Sequence, residues 1–93
     1  MANRAGAKRF ETADAKPFRT PATVDLGHGP VAVPSTLQAS RLLMSVEWPG
    51  RRDASHAEAV ETCLKVLDGH RSTEEARTVF TAAAAKAGVL IGR

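Results

Sequence analysis

Residues 23–38 read TVDLGHGPVAVPSTLQ, and this stretch decides the fold class. Val24 and Leu26 alternate with polar neighbours, Gly27-His28-Gly29-Pro30 interrupts, and Val31-Ala32-Val33 resumes. Two β-rich runs either side of a glycine-containing turn predict an antiparallel β-hairpin. Pro34 ends the second strand because it has no N–H to give to a ladder. Ser35-Thr36-Leu37-Gln38 then fits the capping box S-x-x-[EQ], in which the serine oxygen accepts from the third helical amide and the Gln side chain reaches back. A two-stranded hairpin is marginal in water by itself, so it must pack on the helices that follow. The expected class is α+β.

Working outward, the same box recurs at Ser55-His56-Ala57-Glu58 and Ser72-Thr73-Glu74-Glu75, each opening a run of helical period. Trp48-Pro49-Gly50, Gly69 and Gly88 supply three stops, which predicts three helices. On the third, Ala76, Val79, Phe80, Ala83, Ala84 and Ala87 fall on one stripe at 100° per residue. The second spreads Ala57, Ala59, Val60, Cys63, Leu64, Val66 and Leu67 over about half its circumference, as a helix between two neighbours does. The first carries two stripes, Ala39/Leu42/Leu43/Val46 and Leu37/Met44, one for the second helix and one for the hairpin or a partner chain. Val89-Leu90-Ile91 is a candidate third C-terminal strand.

Composition bounds what such a fold can do. Ninety-three residues suit one domain, and 17 of them are Ala, so the core is modest. No apolar run approaches the roughly 20 residues of a spanning helix, which excludes a membrane-spanning role. A single cysteine, Cys63, excludes a disulfide scaffold. The formal charge of +3 is local: Arg4, Lys8, Arg9, Lys16 and Arg19 outweigh Glu11 and Asp14, whereas the body from residue 20 onward balances. The expected organisation is a flexible basic tail over residues 1–20 and one compact α+β domain over residues 21–93. With no apolar signal segment and no anchor, the cytoplasm is the expected compartment.

The hairpin, Trp48-Pro49 closing a helix, Cys63, Leu67-x-Gly69 and the run Ala76-Arg77-x-x-Phe80-x-x-Ala83-Ala84-x-x-Ala87-Gly88 together resemble a family of small bacterial proteins catalogued as domain of unknown function 982. The resemblance spans about residues 21–91, and the third-helix pattern is its most specific part. It implies a compact α+β domain with no assigned activity and no catalytic residues to carry over. After Trp48-Pro49 this chain reads Arg51-Arg52-Asp53 and His56, where members of the family often have a Gly after an Arg and then an aromatic residue.

Several patterns invite a chemical reading and lose it on inspection. Gly27-His28-Gly29-Pro30-Val31-Ala32 fits the letters of a dinucleotide fingerprint, but that motif must open a helix, and here Pro30 and strand-like valines follow. His56, Cys63 and His70 recur every seven residues, but seven residues rise about 10.5 Å, far more than one metal ion spans. Cys63 sits on a core stripe, where a thiol is inert, and His56 and His70 are expected in solvent. Glu58, Glu61, Glu74 and Glu75 read as caps, ion-pair partners and dipole complements. No enzyme activity, cofactor, metal or small-molecule ligand is expected.

What remains is a non-enzymatic interaction or regulatory module with a protein partner or a homodimer. The third helix presents Thr78, Thr81, Ala82 and Ala85 outward, a stripe without charge bordered by Glu75, Arg77 and Lys86. Trp48 beside Arg51 and Arg52 reads either as a contact corner or, more plainly, as a core Trp flanked by solvated arginines. The expected surface is Trp48, Arg51, Arg52, Arg77, Thr78, Ala82 and Ala85. The alternative is weak nucleic-acid binding through the basic tail and the Arg51/Arg52 loop, with helices two and three spaced as a helix-turn-helix. Glu74 and Glu75, at the start of the would-be reading helix, oppose it.

Overall fold

The computed structural model describes residues 15–91. In chain order, β1 (Pro17–Asp25) pairs antiparallel with β2 (Pro30–Ser35), and α1 (Thr36–Leu43), α2 (Ala54–Leu67) and α3 (Thr73–Ala87) follow. The α+β class and the hairpin with three helices are as expected.

The hairpin turn is organised by one carboxylate. Asp25 Oδ1 accepts from the amides of Gly27 (2.8 Å) and Gly29 (3.1 Å), the local competition with backbone bonding that makes Asp a turn residue. Both glycines have positive φ, 110° and 103°, a region closed to most L side chains. Phe18, Ala22 and Val24 of β1 and Val33 of β2 point into the core. β1 begins four residues before the expected domain boundary: Pro17–Thr20, assigned to the tail, are strand. Pro17 and Pro21 disguised it, and they are accommodated because the register is irregular between Pro17↔Ser35 and Ala22↔Val33. The rest of the expected tail, residues 1–14, lies outside the described residues.

Val89–Ile91 does not form a third strand. It makes one bridge, Val24↔Leu90, with Asp25 N donating to Val89 O and Ile91 N to Thr23 O, both at 2.9 Å. This bridge fixes which way the backbone groups of the regular half of the hairpin point. Thr23 and Asp25 face the C-terminal segment, so Ala22 and Val24 face their partners Val33 and Val31. The outer edge of β2 therefore presents Pro30, Ala32 and Pro34, and only Ala32 has an N–H to offer. The edge is closed to strand addition by composition.

α1 starts on the Ser35 cap, whose hydroxyl accepts from Gln38 N at 3.2 Å. Its next orphan amides are taken by the chain before β1: Thr36 N donates to Lys16 O (3.0 Å) and Leu37 N to Ala15 O (3.1 Å). The helix stops at Leu43, short of the expected Trp48-Pro49 break, and Val46 is 94% exposed instead of lining the core. The α2 cap also differs from expectation. Asp53, not Ser55, accepts from His56 N at 3.1 Å, and the helix begins at Ala54. Asp is as good a cap as Ser, and its second oxygen gains Lys86 Nζ at 3.3 Å from the end of α3. α3 has the full capping box expected, with Ser72 and Glu75 bonded reciprocally, and ends at a left-handed Gly88.

The core lies where α3 crosses under the hairpin and against α2. Ala76, Phe80, Ala83 and Ala84 of α3 are buried as expected, with Ala59, Cys63 and Val66 of α2 and Ala39 and Leu43 of α1. The buried face of α2 is narrower than the sequence suggested, because Ala57 and Leu64 face outward.

Candidate functional site

The loop between α1 and α2 carries a clasp that closes the end of α1. Arg52 Nη1 donates to Leu43 O (2.7 Å) and Nη2 to Ser45 O (2.9 Å), so one planar guanidinium satisfies two carbonyls at the frayed end of α1. His56 Nε2 lies 2.6 Å from the same Leu43 oxygen. A carbonyl only accepts, so Nε2 carries the proton and donates, and the 3.0 Å approach of Arg52 Nη1 to Nε2 is a contact between two donors converging on one acceptor. His56 is thus buried, contrary to the expected solvated position.

Trp48 is also a core residue, 4% exposed, with its ring 5.9 Å from Phe80 and 6.2 Å from His56. It is not available at the surface. Arg51 and Arg52 are both exposed, and Arg52 is the one that bonds to the end of α1. Nothing in the sequence distinguished Arg51 from Arg52, because the difference is which one faces the end of α1.

Arg77 has a second internal duty. Its Nε donates to Thr20 O (2.6 Å) and its Nη2 to Pro21 O (3.3 Å), fastening α3 to the irregular half of β1. A groove of about 350 Å³ opens there between β1 and the start of α3, with Arg19, Glu74 and Thr78 on its walls. A second groove, about 420 Å³, runs between α2 and α3 past Glu58, Arg71 and Glu75. Thr78 stands on the lip of both. The outer face of α3 is therefore a ridge that begins between two grooves and continues through the exposed Ala82 and Ala85.

Among the described residues, the thiol and two of the three imidazoles lie in contrasting surroundings. Cys63 is fully buried, and desolvation pushes its thiol up to about 11. His28 sits exposed in the hairpin turn and His70 exposed after α2. Among the described residues, no three His, Cys, Asp or Glu side chains come together as a metal-binding group. Asp53 is held below the ordinary carboxylate value, first by the His56 amide and then by Lys86. Glu75 is lowered too, first by the Ser72 amide, with help from the Ser72 hydroxyl and Arg71. The largest cause of each shift is a helix-cap hydrogen bond.

The sequence profile of the family described as "Protein of unknown function (DUF982)" matches residues 20–91, nearly all of the folded body. The chain belongs to the DUF982 family. No match was found among curated proteins or among solved structures. The DUF982 match reaches from the irregular half of β1 to the bridge at Leu90, so it covers the Arg52 clasp, the Arg77 fastening and the α3 ridge together. No helix among the described residues is long and apolar enough to cross a membrane.

Proposed function

We propose that this DUF982 protein is a non-enzymatic interaction module that docks a protein surface, in the first instance a second copy of itself, on the outer ridge of α3. The supporting observation is the fate of the expected surface residues. Trp48, Arg52 and Arg77 are committed to internal contacts, whereas Thr78, Ala82 and Ala85 stay outward on one helix face. Small uncharged side chains let a second helix approach closely. Glu74 and Glu75 begin that face and Lys86 ends it, so an antiparallel copy about a two-fold axis brings acid towards base. Docking by strand addition is disfavoured, because prolines occupy the outer edge of β2.

Nucleic-acid binding has less support. Arg52, half of the expected basic loop, gives two of its N–H groups to the end of α1. Catalysis has less still, with the thiol buried and neutral.

Sedimentation equilibrium of the full chain tests the reading. The expected mass is that of a dimer at micromolar concentration, and Ala82→Glu with Ala85→Glu should return it to a monomer with helical circular dichroism unchanged. A monomeric wild-type chain throughout the micromolar range sinks self-association through this ridge.

A further inference from the structure

The helix pair α2 and α3 carries opposite charges at its two ends. At one end, Glu58, Glu74 and Glu75 line the groove of about 420 Å³, against Arg71, whose Nη1 stands 3.7 Å from Glu75 Oε2. Glu58 is exposed, and with Asp53 as the cap of α2 it is spared the capping role its spacing suggested. The other end is basic. Gly50 lies against the last turn of α3, where a Cβ on it would come 3.9 Å from Ala87 Cβ, and Lys86 Nζ reaches Asp53 Oδ2 at 3.3 Å. Arg51 stands between those two contacts and is exposed. Arg52 bonds to the end of α1, whereas among the described residues Arg51 makes no such bond.

We infer that the partner's Arg51 enters this groove beside Glu58 and Glu75, once in each direction, when two copies pair on the α3 ridge. This contact rests on the ridge reading and sets its register. A two-fold axis that turns two ridges face to face and antiparallel runs across the helices, in the plane of contact. It keeps α2 of both copies on the same side of the pair, and it sets the last turn of each α3 beside the first turn of the other. With the ridges fully overlapped, the axis lies midway between Thr78 and Ala85, and the level of Ala87 in one copy meets the level of Ala76 in the other. The basic corner at Gly50–Asp53 is therefore carried over the mouth of the acidic groove, on the side of α3 away from β1 and Arg77. A parallel pairing would keep each groove level with the other groove, distant from either Arg51. Opposite charges placed this way select one register and orientation over the others.

Sedimentation equilibrium of the full chain, read as a dimer dissociation constant, tests it. Arg51 and Glu58 both lie off the ridge, so a ridge contact alone predicts no change from altering either. The expected result is a constant raised about tenfold by Arg51→Glu and by Glu58→Arg, because each change is felt at two symmetric contacts. The double variant R51E/E58R re-forms the pair with its signs exchanged and should return to within about threefold of wild type. Both positions are exposed, so helical circular dichroism should be the same in every variant. A wild-type dimer that A82E/A85E breaks while R51E and E58R leave it intact overturns this inference and spares the ridge. So does a double variant as weak as the two single changes combined. A monomeric wild type removes both readings.

Discussion

The Arg52 guanidinium gives two N–H groups to the carbonyls of Leu43 and Ser45, and the His56 ring adds a third donor to Leu43 O. Without Arg52, Ser45 O loses this bond and Leu43 O keeps only the imidazole. Charged hydrogen bonds of this kind are each worth roughly 1.5–3 kcal/mol, less where water can replace them. Arg52→Ala should therefore lower stability by about 1–2 kcal/mol in urea titrations. Arg52→Lys should recover little of it, because a point ammonium lacks the planar fork that reaches both carbonyls. An unchanged midpoint for Arg52→Ala would show that the clasp is ornamental. Cys63 offers a second residue-scale test. Its buried thiol should react with a disulfide reagent only as fast as the protein opens, and the rate should climb with urea. Rapid labelling of the native chain would contradict the burial. The sign of its alkaline effect is also set. The folded thiol ionises at about 11 and the unfolded one near its usual 9.0, so its contribution to stability is complete below pH 9 and is lost as pH rises through about 11.

Helix starts were legible because capping is a local contest between a side chain and nearby amides. Ser35 and Ser72 were readable for that reason. Ser55 was misread because Asp53 fits the N-cap equally well and also reaches Lys86, 33 residues on and invisible to local pattern. The caps also set the acid response. The carboxyls of Asp53 and Glu75 are depressed in the fold, so their contribution is full above the ordinary values of 3.8 and 4.5 and is lost as pH falls through the lower folded values. Asn and Gln keep capping ability without titrating. The double variant D53N/E75Q should thus fold and show a flatter stability profile below about pH 5 than the wild type. Equal slopes in chemical denaturation across that range would place the acid sensitivity elsewhere. Helix ends were less legible than starts. α1 stops at Leu43 while its apolar period continues to Val46, because a distant arginine and histidine take the carbonyls that another turn would have used.

For the molecule as a whole, association and stability are linked. A dimer that buries the α3 ridge adds stability by mass action, so the thermal midpoint should rise with protein concentration. The rise should vanish in A82E/A85E, and a concentration-independent midpoint for the wild type counts against the dimer. By itself the sequence determined the α+β class, the hairpin, the number of helices, and the buried and outward faces of α3. It did so because periodicity, turn glycines and caps act within a few residues of themselves. Only the tertiary structure decided that Arg52 and Arg77 bond to backbone carbonyls of other elements, and that His56 is buried. It also decided that Pro17–Thr20 are strand and that Val89–Ile91 is not. Each of those outcomes depends on which distant carbonyl or side chain the residue meets. Arg77, for example, bonds to Thr20 and Pro21, more than fifty positions away, and no period along the chain encodes that meeting.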